Sequence, residues 1–256
     1  MLSLLLGCAS TTATVVPPPP VVKRVLFIGN SLTYTNDLPH TVAAIATAAG
    51  MPIEVAVEAE PGLALIDHLT GGSNALATLH RGPWDYVVLQ QGPTPAGICR
   101  DSLVLWTQQF DTLVRAAGGT TAMMMPWPAV DASTGFDEVR ESFLAAAAAV
   151  GGVFLPAGEA WRAAWRENPT LELYGKDGFH PSSVGSFLAA LTVHERLTGR
   201  DARTLPLRAF RGLGDLTLPP SEIQLLQRAA HAANIQFPAR PTLRLAATEL
   251  RSARPC

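Results

Sequence analysis

Five short apolar segments recur through the first two thirds of the chain, each followed by a loop or a helical pattern. They cover residues 25–28, 53–59, 84–90, 120–125 and 153–155. The first segment has no polar alternation, which is typical of a strand buried on both faces of a parallel sheet. The second alternates apolar residues with glutamates, which indicates a less buried strand.

Helical patterns separate these segments and continue after the last one. They span residues 37–50, 63–80 (interrupted by Gly71 and Gly72), 102–117, 136–150, 159–166, 183–197 and 221–234. Asp37 stands where a side chain caps the first of these helices. Strands that alternate with helices predict right-handed βαβ units. The expected fold is therefore α/β, a three-layer α/β/α sandwich around a mainly parallel five-stranded sheet.

Composition narrows the class of protein. A chain of 256 residues that is 48% hydrophobic can bury one sizeable core. The formal net charge of -2 provides no basic field for phosphate backbones, so we expect no nucleic-acid partner. The three cysteines, at positions 8, 99 and 256, match no zinc or redox spacing. We therefore expect neither a structural metal nor a cofactor.

The two ends of the chain differ from its middle. The run Leu5-Leu6-Gly7-Cys8 resembles a bacterial lipobox, in which the cysteine becomes the lipidated N-terminus. A proline-rich stretch follows, so residues 1–22 are expected to be a lipoprotein-type signal and tether. The alternative is a hydrophobic N-terminus without an anchor. We expect one globular domain over residues 23–237, a polar basic tail over 238–256, and an exported cell-envelope lipoprotein whose only membrane link is lipid on Cys8.

Candidate chemistry lies directly after the first strand, at Ser31. A serine hydroxyl is a weak nucleophile at neutral pH, so it needs a base within hydrogen-bond reach and a third group to orient that base. Asp177 and His180 stand three residues apart in a loop that precedes a helix. A carboxylate at this spacing can hold one imidazole nitrogen while the other nitrogen faces Ser31. These three residues form a candidate catalytic triad.

Acyl chemistry also needs donors for a developing oxyanion. The turns at Ser31 and Gly62 offer backbone N–H groups at adjacent strand ends, and the side-chain amide of Gln90 or Gln91 can add a third donor. Taken singly, each of these residues has a structural explanation, such as a helix cap for the serine. Their joint occurrence in this order favours a catalytic site.

Other polar and aromatic residues receive smaller roles. Asn30 and Thr33 are expected to support the turn that carries Ser31. His40 lies near the same turn and can reach the site. Trp127 is expected to pack in the core, with a wall of a substrate pocket as the alternative. Four histidines in helical stretches are expected to be surface or packing residues without a role in the site: His68, His80, His194 and His231.

Two blocks together resemble a known family. The block Gly29-Asn30-Ser31-Leu32-Thr33 and the later block Asp177-Gly178-Phe179-His180-Pro181-Ser182 are similar to those of the SGNH (GDSL-like) hydrolase superfamily. The resemblance covers roughly residues 23–200 and implies a flavodoxin-like SGNH hydrolase fold. It also implies a Ser31 nucleophile, a Gly62 oxyanion donor and an Asp177–His180 acid–base pair. The family's G-x-N-D block is replaced here by residues 89–94, LQQGPT, which leaves open which glutamine points into the oxyanion hole.

These observations predict a serine esterase that removes a small acyl group from an alcohol through an acyl-enzyme. The resemblance implies a small-molecule or carbohydrate ester as the substrate class, with acetyl as one acyl group. Two alternatives remain open at this point. One is acyl transfer to a sugar hydroxyl, in which the site excludes water. The other is a non-catalytic surface-binding lipoprotein that keeps the fold with an incomplete oxyanion hole.

Overall fold

The computed structural model describes residues 22–132, 134–206 and 218–242. The expected signal and tether, except Val22, and the expected tail beyond Thr242 lie outside the described residues. Strands and helices alternate along the described chain in this order: β1 Lys23–Gly29, α1 Ser31–Tyr34, α2 Leu38–Ala48, β2 Ile53–Ala59, α3 Leu65–Leu69, α4 Ala75–His80, β3 Tyr86–Leu89, α5 Ile98–Ala116, β4 Thr120–Met124, α6 Phe136–Ala149, β5 Val153–Leu155, α7 Ala157–Glu167, α8 Ser183–Thr198 and α9 Pro220–Gln236.

The five strands form one parallel sheet in the order β2-β1-β3-β4-β5. Helices cover both of its faces, which confirms the predicted α/β/α sandwich. The strand β1 lies inside the sheet and is buried from Val25 to Ile28, whereas β2 is an edge strand and mostly half-buried. Both positions agree with the polar patterns of the two segments.

Two hydrophobic cores fill the space between the sheet and its helices. Val25 and Phe27 of β1 belong to the core under α2, α7, α8 and α9, and Leu26 and Ile28 belong to the core under α3, α4, α5 and α6. This alternation explains the continuous apolar run, because both faces of the strand are covered. Among the described residues, no helix is both long enough and apolar enough to cross a bilayer.

The topology fixes where a site can form. The chain leaves β1 to form β2 on one side and later returns to form β3 on the other side of β1. In an open parallel sheet, a crevice forms at such a switch point beyond the carboxyl ends of the strands. Ser31, Gly62 and Gln91 follow β1, β2 and β3 at this edge.

Candidate active site

The serine turn, which we define as residues 29–33, holds Ser31 at the start of α1. The Asn30 side chain caps this short helix, because its Oδ1 accepts a hydrogen bond from the Leu32 N–H at 3.1 Å. The amide nitrogen of the same side chain donates to the Leu63 carbonyl at 3.1 Å. Ser31 is 9% exposed. The turn therefore presents one hydroxyl at the surface of an otherwise buried segment.

Gln90 holds the serine turn from the neighbouring strand. Its Oε1 accepts hydrogen bonds from the Asn30 N–H at 3.1 Å and from the Thr33 hydroxyl at 2.7 Å, and its Nε2 donates to the Gln91 carbonyl at 2.6 Å. Glycine at position 29 makes this approach possible, since a Cβ there would lie 2.6 Å from Gln90 Oε1. Of the two candidate glutamines, Gln90 is not placed as the oxyanion donor, because it is fully buried and does not line the cleft beside Ser31.

His68 binds the carbonyl side of the Gly29–Asn30 peptide, whose N–H is bonded to Gln90. Its Nε2–H donates to the Gly29 carbonyl at 2.9 Å, and its Nδ1 accepts from the Ser73 hydroxyl at 2.6 Å. Burial lowers the pKa of His68, although the hydrogen bond to Gly29 acts in the opposite direction. The neutral tautomer with hydrogen on Nε2 satisfies both contacts. Sequence reasoning missed this contact, because a lone histidine in a helical stretch carries no signal of a partner 39 residues away.

The aspartate–histidine loop, residues 174–181, supplies the facing side chains. Asp177 Oδ1 accepts hydrogen bonds from the Phe179 and His180 N–H groups, each at 3.0 Å, and Oδ2 lies 2.5 Å from His180 Nδ1. His180 Nε2 lies 2.9 Å from Ser31 Oγ. The structure thus brings together the three residues of the expected triad, 149 residues apart at the farthest.

Hydrogen bonds keep the Asp177 carboxyl ionised. The hydrogen bond with His180, together with those from the backbone N–H groups of Phe179 and His180, lowers the pKa of the Asp177 carboxyl to about 2. An ionised carboxylate only accepts, so the His180 hydrogen lies on Nδ1 in the neutral ring. Nε2 is then left as an acceptor for the Ser31 hydroxyl. The arrangement can take a proton from Ser31 and stabilise the resulting imidazolium.

The segment after β4 anchors the aspartate–histidine loop. The Trp127 indole donates to the Phe179 carbonyl at 3.1 Å, the Val130 N–H to the Gly178 carbonyl at 2.9 Å, and the Tyr174 hydroxyl to the Pro128 carbonyl at 2.6 Å. Trp127 is 1% exposed and stacks on Trp161 with ring centroids 3.8 Å apart. It therefore packs in the core, as expected by default, and supports the loop without lining the cleft beside Ser31.

Two residues that line the cleft beside the serine hydroxyl have backbone N–H groups without a partner among the described residues. The N–H groups of Ser31 and Gly62 take part in none of the hydrogen bonds within that part of the chain. Gly62 has a φ of +72°, a backbone conformation that favours glycine. Gln91 lines the same cleft, and its Nε2 donates to Thr94 Oγ1 at 3.0 Å, which leaves a second amide hydrogen. These three donors can stabilise an oxyanion that develops beside Ser31.

A second aspartate–histidine pair shows that spacing alone does not make a site. Asp37 and His40 are also three residues apart, and Asp37 Oδ1 lies 2.6 Å from His40 Nδ1. Their side chains are 69% and 60% exposed and do not line the cleft. Asp37 has a left-handed backbone and makes no side-chain cap to α2, so its predicted capping role is wrong.

One group of described residues has the donor chemistry of a metal site. Glu195, Asp201 and His231 place ligand atoms within 4.8 Å of one another. The His231 Nδ1 is bonded to Glu195 at 2.8 Å and lies 3.3 Å from Asp201. Arg203 also pairs with Asp201 at 2.7 Å. These contacts describe a hydrogen-bonded cluster that ties α9 to α8.

Comparison with solved structures supports the assignment of the α/β/α fold. No protein-family model matches the chain, and no curated protein matches it. A candidate SGNH hydrolase structure from Slackia heliotrinireducens is 29% identical over 68% of this chain and 98% of its own, with a TM-score of 0.59.

Two further structures share the fold at lower identity. A DUF4886 family protein from Bacteroides uniformis is 20% identical over 87% of this chain and 98% of its own, with a TM-score of 0.62. A candidate GDSL-like lipase from Parabacteroides merdae is 16% identical over 71% of this chain and 99% of its own, with a TM-score of 0.55. With this fold, the chain belongs to the SGNH hydrolase superfamily.

Proposed function

We propose that the protein is a serine esterase that hydrolyses a carboxylic ester through a covalent acyl-enzyme. One observation carries the proposal: His180 Nε2 lies 2.9 Å from Ser31 Oγ while Nδ1 of the same ring lies 2.5 Å from the Asp177 carboxylate. This is the contact that activates a serine hydroxyl at neutral pH. The distances are already within hydrogen-bond range, so no loop has to close to form it.

The first half of the reaction acylates the serine. Ser31 Oγ attacks the ester carbonyl carbon as its proton passes to His180 Nε2, and the ionised Asp177 stabilises the imidazolium. The carbonyl oxygen becomes an oxyanion that accepts from the N–H groups of Ser31 and Gly62 and from the Gln91 amide. Each such donor is worth about 3 kcal/mol of barrier. Collapse breaks the ester C–O bond, and His180 gives its proton to the leaving alcohol.

The second half returns the enzyme to its starting state. Water loses a proton to His180 Nε2 as its oxygen attacks the acyl carbon. The tetrahedral intermediate is held by the same donors. Its collapse breaks the bond to Ser31 Oγ, which regains a proton from His180, and the carboxylic acid leaves. Every proton is therefore returned, and no group outside the protein and water is consumed.

The experiment is hydrolysis of p-nitrophenyl acetate by the wild-type protein and by Ser31→Ala. We expect the variant to lose at least about a thousandfold in kcat/KM, because it keeps the oxyanion donors but has no nucleophile. Ser221→Ala removes an exposed hydroxyl on α9 and serves as the matched control. Equal rates for wild type and Ser31→Ala would contradict the proposal and favour a non-catalytic binding protein. Ester formed with added sugar, in place of free acid, would identify acyl transfer instead.

We also propose a cellular location for the enzyme, from its sequence. A lipid on Cys8 would hold the catalytic domain at the cell envelope, where a small-molecule or carbohydrate ester is its substrate. The lipobox-like run and the proline-rich stretch after it support this placement. Partition of the protein made in its native host into a detergent phase, lost in Cys8→Ser, is the expected result. Wild-type protein that stays in the aqueous phase would contradict the anchor.

A further inference from the structure

A cleft of about 550 Å³ opens beside Ser31 on the side of the oxyanion donors. Its walls come from the serine turn, the loop after β2 with the start of α3, the loop after β3, helix α5 and one residue of the aspartate–histidine loop. Apolar side chains dominate these walls, namely Leu63, Ile66, Pro93, Pro95, Trp106 and Phe179. His180 is not among the lining residues. The cleft therefore lies on the side of Ser31 that carries Gly62 and Gln91, and it meets the aspartate–histidine loop only at Phe179.

The geometry of acyl transfer decides which part of an ester can enter this cleft. In the tetrahedral intermediate the reacting carbon carries Ser31 Oγ, the oxyanion, the leaving alcohol oxygen and the acyl chain. The oxyanion takes the N–H groups of Ser31 and Gly62, and the alcohol oxygen must face His180 Nε2 to receive its proton. The acyl chain takes the remaining direction. A cleft that starts at Ser31 and excludes His180 is therefore placed to receive the acyl group.

The cleft is much larger than an acetyl group requires, since volumes of this size hold drug-sized ligands. Hydrogen bonds keep its wall in place: Ser142 Oγ donates to the Pro95 carbonyl at 3.1 Å, and Thr94 Oγ1 to the Gly92 carbonyl at 3.0 Å. The one carboxylate in the lining, Asp67, accepts from the Ala64 N–H at 2.8 Å. Its negative charge disfavours an acyl chain that ends in an acid.

We propose that the cleft binds an uncharged aliphatic acyl chain longer than acetyl, of about butanoyl to octanoyl length, while the alcohol remains on the open side. This inference rests on the proposed esterase function and names its acyl specificity. His180 is 39% exposed, so the alcohol side is open to solvent and accepts alcohols of different size. Buried methylenes supply binding energy on the acyl side only.

The experiment compares kcat/KM for p-nitrophenyl acetate, butanoate and octanoate, each below its micelle concentration. We expect kcat/KM to rise about threefold to fourfold for each methylene that the cleft buries. Ala64→Leu fills the cleft and is expected to lower the ratio of the octanoate kcat/KM to the acetate kcat/KM by at least about tenfold. Ala48→Leu makes the same change on an exposed residue of α2 and is expected to leave the series unchanged.

A binding measurement separates this inference from the esterase proposal. Calorimetric titration of Ser31→Ala with sodium octanoate is expected to show binding that sodium acetate lacks and that Ala64→Leu abolishes in the same background. Ester hydrolysis that is fastest with acetate, together with no octanoate binding, would overturn the acyl cleft and leave the esterase standing. Octanoate binding by a protein that hydrolyses no ester would support the cleft and overturn the esterase. Unaltered chain-length preference in a folded Ala64→Leu protein would also overturn the cleft.

Discussion

The serine turn and the aspartate–histidine loop meet in one hydrogen bond and are built in opposite ways. The serine turn is buried, and partners from distant parts of the chain, Gln90 and His68, hold its Gly29–Asn30 peptide from both sides. In the aspartate–histidine loop the side chains are half-exposed, and Asp177 itself organises the local backbone. Stability and position are therefore coupled in the serine turn, whereas the loop side chains can be changed with little effect on the fold.

The largest expected effect is in the loop. Asp177→Asn keeps Oδ1 as acceptor for the two backbone N–H groups but replaces Oδ2 with an amide that donates to His180. The imidazole then takes the wrong tautomer, and kcat should fall by about 10³- to 10⁴-fold with the melting temperature unchanged. Ester hydrolysis and thermal unfolding measure the two effects. Asp37→Asn, in the exposed pair with the same spacing, should change neither, and a loss of activity there would contradict the assignment.

A change in the serine turn should damage both properties. Gln90→Ala leaves the Asn30 N–H and the Thr33 hydroxyl without their acceptor, so we expect a loss of about 2–4 kcal/mol of unfolding free energy and at least about tenfold in kcat. Urea unfolding and ester hydrolysis give the two values. Gln227→Ala is the control, since this buried glutamine donates to two backbone carbonyls far from the site. It should lose stability and keep kcat; equal kcat losses in both variants would remove the special role of Gln90.

Lowering the pH should reduce the stability of the fold through its buried histidines before Asp177 in the loop is protonated. Burial lowers the pKa of His194 to about 4, and it also lowers the pKa of His68, whereas Asp177 stays ionised down to about pH 2. The unfolded state binds a proton near pH 6.5 and the folded state does not, so stability falls as pH drops from 6.5 towards 4. We expect His194 to contribute about 2 kcal/mol of this loss between pH 7 and pH 5. Urea midpoints at both pH values should show a smaller pH dependence in His194→Leu; an identical dependence would contradict this cause.

The smallest effect concerns the anchor of the loop. Trp127→Phe removes the indole N–H that donates to the Phe179 carbonyl, and we expect a loss of about 1–2 kcal/mol and a severalfold decrease in kcat. Trp165→Phe removes a similar bond to the Leu171 carbonyl, outside the aspartate–histidine loop. This control should lose stability while kcat stays at the wild-type value. A kcat unchanged in Trp127→Phe would show that the loop holds its position without the indole.

The same contrast explains what the sequence predicts. Strand and helix positions follow from local apolar patterns, and the five predicted strands all occur. The Asp177–His180 pair is found from sequence because its contacts are local. The choice between Gln90 and Gln91 as oxyanion donor stays open from sequence, because the partners of Gln90 lie about 60 residues away and only the packed structure shows that it holds the serine turn.

Local spacing can also indicate a site where none exists. Asp37 and His40 repeat the spacing of the loop pair, but no serine lies beside His40 as Ser31 lies beside His180 among the described residues. The cleft has no sequence signal of its own, since its walls combine the ends of several elements that meet only after folding. Sequence therefore identifies the reacting side chains better than the surface that selects their substrate.

Covalent labelling tests the central claim, that Ser31 is a nucleophile activated by His180. Wild-type protein is incubated with a fluorophosphonate at neutral pH, and the intact mass and the labelled peptide are determined by mass spectrometry. The account predicts one phosphonyl group per chain, located on Ser31, with no label in Ser31→Ala and much slower labelling in His180→Ala. A label on another residue, or equal labelling of wild type and Ser31→Ala, would contradict it.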